Sequence, residues 1–181
     1  KANLKREDCV GIKLYPGYNK AYVTDEVYEP VYELAKAYNK PVAIHMGQTA
    51  GSRAYLKYSH PLTLDEAAVR HPDVTFVMCH FGNPWLMDAA AVVEKNENVM
   101  TDLSGLLEGK IEFPKLLEQQ RGYFDTLKTW ISYCSQYEKF MFGTDWPLAN
   151  YGDYIEAVKW LIPEKEWEKV FYENAKRIYG F

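Results

Sequence analysis

The chain of 181 residues is long enough for one domain, and its 48% hydrophobic and 25% charged residues are typical of a soluble globular protein. A net charge of −4 without a basic stripe argues against nucleic acid and favours a small-molecule substrate. No apolar run approaches the roughly 18 residues of a membrane span, and the N-terminus lacks a signal-peptide core, so we expect no membrane partner. The odd set of Cys9, Cys79 and Cys134 fits no CxxC pattern and indicates reduced thiols in a cytoplasmic protein.

The first half of the chain reads as alternating strands and helices. Residues 10–16 (VGIKLYP) predict a strand that places Lys13 and Tyr15 on the face opposite its aliphatic side chains. A helix is predicted to begin at Thr24 and to end at Asn39, with an apolar stripe at Val27, Val31, Leu34, Ala35 and Tyr38. A second strand, PVAIH, runs into the polar loop 46–60.

The second half continues the alternation. A capping box of Thr63 and Glu66 predicts a helix to Arg70, and VTFVMCH is apolar on both faces, as expected of a covered parallel strand. Asn83 and Pro84 predict the start of a helix over 85–95. Further elements are a strand over 98–104, a helix over 123–136, the strand KFMFGTD over 139–145, a helix over 154–161 and a helix from Pro163. The alternation predicts a parallel α/β sheet in a single domain, 1–181.

Three of the predicted strands end in residues that can ligate a metal, namely His45, His80 and Asp145. Ligands gather at the carboxyl ends of parallel strands, so we expect these side chains to converge. Neutral imidazole suits zinc, and a carboxylate can ligate the ion or accept a proton from its water. The alternative for each histidine is a hydrogen-bonded structural group, and the turn contexts of His60 and His71 favour that interpretation for both.

Other polar residues are weaker candidates. Lys13 would face the interior of a barrel, where it could contact an acidic substrate, although an internal ion pair is the favoured alternative. Asp102 and Ser104 could orient a ligand or cap the next turn. Arg53 is a candidate for binding a carboxylate, with solvent exposure as the alternative. Of His60 and His71, His60 is the better candidate to face the site, because it lies in the loop after His45.

Several segments, in order, resemble one family over essentially the whole chain: GIKLYP, PVAIHMG, VTFVMCHFGNPW, NVMTDLSG, FMFGTDWP and ENAKRIYGF. They are similar to the amidohydrolase-related family of metal-dependent TIM-barrel hydrolases. The resemblance implies a (β/α)8 barrel in which GIKLYP is the fourth strand and in which His45, His80 and Asp145 end the fifth, sixth and eighth. It implies a divalent metal, most often Zn²⁺ with Mn²⁺ as an alternative, held or faced by His45, His80 and Asp145.

The resemblance also implies a mechanism. Metal-activated water would hydrolyse a small-molecule amide, ester or lactone, with Asp145 and His80 as catalytic residues. The candidate substrate contacts are Lys13, Tyr15, Arg53, His60 and Trp146.

The sequence differs from the family pattern in one respect. That pattern has an HxH pair on a first strand, which this sequence lacks, and a full barrel takes about 250 residues. We therefore expect only strands four to eight here, with unpaired edges and an incomplete catalytic site.

Two alternatives to the hydrolase stay open. Similar proteins decarboxylate aromatic or unsaturated acids without oxidation on the same kind of site. A non-catalytic barrel fragment that serves as a binding or assembly module is the second alternative. The sequence leaves the substrate undetermined, and a homo-oligomer is compatible with it.

Overall fold

The structure is a computed structural model that describes residues 2–181. Its centre is a parallel sheet of five strands in the order β1-β2-β3-β4-β5, so each strand pairs with the next along the chain. This order confirms the predicted series of strand-then-helix units. The strands are β1 (Ile12–Leu14), β2 (Val42–His45), β3 (Phe76–Cys79), β4 (Val99–Asp102) and β5 (Phe140–Met141).

Helices pack along the sheet and bury its hydrophobic side chains. All four residues of β3 are buried, which confirms the prediction drawn from its apolar pattern and is expected of a central parallel strand. The α-helices are α1 (Pro16–Asn19), α2 (Glu29–Tyr38), α3 (Leu62–Arg70), α4 (Leu86–Lys95), α5 (Phe113–Gln119), α6 (Arg121–Cys134), α7 (Tyr151–Leu161) and α8 (Asn174–Tyr179). A π-helix, Lys169–Glu173, precedes α8, and its Val170 is fully buried.

Three helix starts predicted from capping residues are wrong. The helix predicted from Thr24 is a short 3-10 turn followed by α2, which begins only at Glu29 because Pro30 suits the first turn of a helix better than its interior. The capping box is absent, because Thr63 lies inside α3 and its hydroxyl donates to the carbonyl of His60 at 2.8 Å. Helix α4 begins after Trp85, so Asn83 and Pro84 belong to the preceding turn.

The face that α2 buries also differs from the predicted stripe. Val27 is 67% exposed, whereas Tyr32 and Ala35 are each 1% exposed. The later start at Glu29 removes Val27 from the helix, and the buried side is centred on Tyr32 instead. The Tyr32 hydroxyl, which donates to the carbonyl of Val23 at 2.5 Å, anchors this side of the helix to the preceding loop.

The last strand is shorter than predicted. It ends at Met141, because the Phe142 N–H donates to the carbonyl of Val170 at 2.7 Å instead of pairing with β4. Asp145 has φ of 57°, a left-handed conformation that a strand does not contain, so it lies in the loop beyond β5. No helix within residues 2–181 has the length and apolar character needed to cross a membrane.

Candidate metal centre

Two imidazole rings meet at the carboxyl ends of β2 and β3. His45 Nδ1 lies 3.1 Å from His80 Nε2, and the ring centroids are 4.8 Å apart. The two strands are paired in register, with His45 beside Cys79, so the residue after Cys79 falls next to His45. His80 adopts φ of 65°, which ends β3 and turns its side chain toward β2.

Backbone carbonyls fix the protonation of both rings. His45 Nε2 lies 3.1 Å from the Gln48 carbonyl, and His80 Nδ1 lies 3.1 Å from the Ser104 carbonyl. A carbonyl only accepts hydrogen bonds, so each of these nitrogens carries the hydrogen and the other nitrogen of a neutral ring carries a lone pair. The lone pairs of His45 Nδ1 and His80 Nε2 therefore point toward each other.

Ser104 and Asp102 form hydrogen bonds on the side of His80 that faces away from His45. The Ser104 hydroxyl lies 2.9 Å from His80 Nδ1 and donates to Asp102 Oδ1 at 2.5 Å, while the backbone N–H of His80 donates to the same carboxylate oxygen at 3.0 Å. Burial alone would raise the pKa of Asp102, but nearby His80 and these donated hydrogen bonds hold it below its usual value. The sequence allowed either ligand orientation or turn capping for this pair, and the structure contains both, because the Ser104 backbone N–H also donates to Asp102 Oδ1 at 3.1 Å and closes the turn.

Facing lone pairs repel unless a cation lies between them, so the chemistry of this pair fits a metal ion. Zn–N bonds are about 2.0–2.1 Å, and two nitrogen ligands of one tetrahedral ion therefore lie about 3.3 Å apart. The 3.1 Å between His45 Nδ1 and His80 Nε2 is close to that spacing. A group of three His, Cys, Asp or Glu side chains close enough to hold an ion is absent from residues 2–181. The described residues thus provide two ligands, not a full set.

The environment keeps His45 neutral. Burial is the main cause that lowers its pKa to about 4, and the neighbouring His80 and Lys13 act in the same direction. The Gln48 carbonyl and Asp145 oppose this shift. A neutral imidazole is the form that binds metals.

A cleft of about 510 Å³ opens above the two histidines. Of the residues selected from the sequence, Lys13, Tyr15, His45, His80 and Asp145 line it. Tyr15 stacks on the His45 ring with centroids 6.0 Å apart. Asp145 is exposed at the wall of the cleft rather than at the end of a strand.

Three of the five candidate substrate contacts lie outside the cleft lining. Arg53 is exposed, and the Trp146 side chain is 68% exposed. His60 packs on Trp85 with ring centroids 4.8 Å apart, and its Nε2 lies 3.5 Å from Asp88 of α4. His71 Nε2 lies 3.4 Å from Glu29, and this contact agrees with the interpretation of His71 as a structural residue.

The ion pair favoured for Lys13 is wrong. Its Nζ donates to Cys79 Sγ at 2.7 Å, and the ion pairs found among residues 2–181 do not include it. Sequence reasoning also missed cleft residues, namely Tyr18, Gln48, Ala50, Asn83, Gly105, Leu106, Glu108 and Leu148. Gln48 and Asn83 each lie three residues after a site histidine, so their position in the turn that follows a strand end could have identified them as cleft residues.

The amino-acid sequence of the chain matches one protein family. The sequence model described as Amidohydrolase matches residues 2–181, which is nearly the whole chain. The chain belongs to the amidohydrolase family. This finding confirms the resemblance drawn from the strand-end motifs. No curated protein matched the chain.

Several solved structures share the fold. An uncharacterized TIM-barrel protein from Bordetella bronchiseptica is 23% identical, with a TM-score of 0.69, over 93% of this chain and 56% of its own. A 5-carboxyvanillate decarboxylase from Sphingomonas paucimobilis is 16% identical, with a TM-score of 0.67, over 98% and 60%. An amidohydrolase from Burkholderia multivorans with bound Zn is 17% identical, with a TM-score of 0.63, over 88% and 59%. The chain therefore spans less than two thirds of each relative, as a partial barrel does.

Proposed function

We propose that this chain carries part of the active site of a metal-dependent hydrolase that acts on a small-molecule amide, ester or lactone. The observation that carries the proposal is the 3.1 Å approach of two lone-pair nitrogens, His45 Nδ1 and His80 Nε2, at the floor of an open cleft. Membership of the amidohydrolase family supports hydrolysis as the reaction class. The Zn reported for the Burkholderia protein supports zinc as the first metal to test.

The roles of the residues follow from their positions. His45 and His80 would hold the ion, with Gln48, Ser104 and Asp102 keeping their rings oriented. A bound divalent ion would supply Lewis acidity and lower the pKa of water to about 7. Asp145, on the wall of the same cleft, would accept the proton of the attacking water, and it would become a further ligand only by moving toward the two histidines, because no group of three ligating side chains is in place within residues 2–181. Any ligands beyond these would come from outside this chain.

Substrate contacts would come from the opposite side of the cleft. The Lys13 ammonium group can pair with an anionic substituent, and the Tyr15 ring beside His45 offers a flat apolar surface. These two features also favour a second candidate, the non-oxidative decarboxylation of an aromatic or unsaturated acid. The shared fold of the 5-carboxyvanillate decarboxylase is compatible with it.

Metal content tests the metal site that the hydrolase and the decarboxylase would share. The protein carrying this chain, loaded with zinc and then desalted, is expected to retain stoichiometric zinc by elemental analysis. His45→Ala and His80→Ala should lose it. His71→Gln, a histidine outside the cleft, is the matched control and should retain it. Zinc retained by both alanine variants would refute the proposed site and favour the non-catalytic module.

Product analysis separates the two reactions. A hydrolase incorporates oxygen from labelled water into its product, whereas a decarboxylase releases carbon dioxide and incorporates no water oxygen into the organic product. Asp145→Asn should abolish incorporation of water oxygen while leaving at least part of the zinc bound. Carbon dioxide without incorporated oxygen would overturn hydrolysis and establish the decarboxylase.

A further inference from the structure

The contact between Lys13 and Cys79 lies beneath the histidine pair and is not used by the proposed hydrolysis. Lys13 is on β1 and Cys79 is on β3, so the lysine side chain must cross β2 to reach the sulfur. The residue of β2 in register with Lys13 is Ala43, whose methyl group leaves room for that crossing. Lys13 Nζ then lies 2.7 Å from Cys79 Sγ.

This separation is shorter than the other hydrogen-bond contacts of cysteine sulfurs among residues 2–181. Cys134 Sγ lies 3.5 Å from the Ala90 carbonyl, Cys9 Sγ lies 3.7 Å from the Gly11 carbonyl, and Cys79 Sγ lies 3.9 Å from the Val77 carbonyl. The lysine nitrogen is thus 0.8 Å closer to its sulfur than the shortest of these (3.5 against 2.7 Å). The 2.7 Å between this nitrogen and this sulfur is about the distance between two atoms that are both bonded to one oxygen atom.

We propose that Lys13 and Cys79 form an oxidative modification site, at which one oxygen atom links Nζ to Sγ as an N–O–S crosslink. The oxidant is dioxygen. The Lys13 ammonium group first releases one proton to the solvent. One N–H bond of the resulting amine and the S–H bond then break, N–O and S–O bonds form, and the second oxygen atom leaves as water with the two hydrogens. Nitrogen and sulfur are oxidised, and dioxygen is reduced. Two equivalents of a dithiol reverse the step by restoring the amine and the thiol and releasing the bridging oxygen as water.

Access and surroundings fit this chemistry. Lys13 is exposed and lines the cleft, whereas Cys79 is 3% exposed and contacts the lysine nitrogen. Lys13 takes part in none of the ion pairs found among residues 2–181, and its Nζ donates to Cys79 Sγ instead. All three cysteines are free in the structure, and Cys79 is the one with a lysine nitrogen in contact.

The crosslink would have a mechanical and an electrostatic consequence. It would tie β1 to β3 across β2 directly before His80, which follows Cys79 in the chain. It would also remove the ammonium charge of Lys13 from the cleft. The inference does not depend on the proposed hydrolysis, because it concerns only the lysine, the cysteine and the oxidant.

Intact-mass and peptide analysis after exposure to dioxygen tests the proposal. The wild-type chain should gain one oxygen and lose two hydrogens, and a non-reducing digest should contain a peptide in which Lys13 is joined to Cys79. Dithiothreitol should return the reduced mass. Cys79→Ala and Lys13→Arg should each abolish the species, and circular dichroism should verify that both variants are folded.

Cys134→Ala is the matched control, because Cys134 is also 3% exposed but contacts a carbonyl instead of a lysine. It should keep the crosslink. A gain of oxygen without loss of hydrogen, which marks a sulfenic acid, would overturn the proposal. The same is true of a wild-type mass unchanged by dioxygen, or of a crosslink that persists in Lys13→Arg.

Discussion

His45 Nδ1 and His80 Nε2 lie 3.1 Å apart, and each ring is held on its far side by a backbone carbonyl. The carbonyls take the ring hydrogens, so the lone pairs converge on the space between the rings. This relationship links the fold to its chemistry, because parallel pairing of β2 with β3 places the two histidines side by side. The cleft above them connects the pair to Lys13, Tyr15 and Asp145.

Replacement of Gly105 by alanine should displace the His80 ring. A Cβ at Gly105 would lie 2.6 Å from His80 Nδ1, and the residue has φ of 62°. We expect Gly105→Ala to lower zinc affinity by at least about tenfold, the lower end of the effect seen when groups that orient metal ligands are changed. Zinc titration with a competing chelator measures the loss.

Gly109→Ala is the control for backbone strain alone, because Gly109 has φ of 82° and an added Cβ would meet nothing within 4 Å. It should bind zinc as the wild type does. Equal losses of affinity in the two variants would mean that contact with the His80 ring is not the cause.

Ser104→Ala should weaken zinc binding by removing the hydroxyl between His80 Nδ1 and Asp102. Loss of such a supporting group costs about 10–100-fold in metal affinity. The exposed Ser132→Ala is the control and should not change zinc binding. Affinity unchanged in Ser104→Ala would show that the Ser104 carbonyl alone orients the ring.

Tyr154→Phe should destabilise the loop that carries Ser104. The Tyr154 hydroxyl donates to the Leu103 carbonyl at 2.6 Å and accepts from the Leu106 N–H at 3.0 Å, and the side chain is fully buried. Leaving these backbone groups unsatisfied should lower the free energy of unfolding by about 1–3 kcal/mol. Urea denaturation measures it, with the exposed Tyr133→Phe as the control. A loss no larger than that of the control would contradict the assigned role.

The titration of His45 in the metal-free protein gives a prediction in pH. Its pKa is lowered to about 4, mainly by burial, from an ordinary value near 6.5. Between these values the unfolded chain binds a proton that the folded chain does not, so stability should fall as pH decreases from about 6.5 to about 4. His45→Gln should reduce this dependence. Nitrogen NMR of labelled histidine measures the pKa, and a value near 6.5 would contradict the burial described for His45.

Much of this architecture could be predicted from the sequence. Alternation of apolar strands and amphipathic helices sufficed for the parallel sheet, and β3 was identified by its two apolar faces. The strand-end positions of His45 and His80 then predicted their proximity. These inferences succeeded because register in a parallel sheet is set by local pattern and pairing.

What could not be predicted depends on tertiary contacts and unusual backbone angles. The end of β5 at Met141 follows from a hydrogen bond between Phe142 and Val170, which are far apart in sequence. The left-handed conformations of His80 and Asp145 could not be predicted, because histidine and aspartate adopt positive φ more often than most residues but still only at a small share of positions. The reach of Lys13 to Cys79 requires knowledge of which strands neighbour each other, and polar pairing alone suggested a carboxylate instead.

The most direct test of the central claim is X-ray absorption spectroscopy at the zinc edge of the loaded protein. We expect imidazole scattering from two histidines in the wild type, whereas His45→Ala and His80→Ala should retain too little zinc to give the wild-type spectrum. A zinc spectrum without imidazole, or one that neither substitution changes, would contradict the claim that His45 and His80 bind one ion.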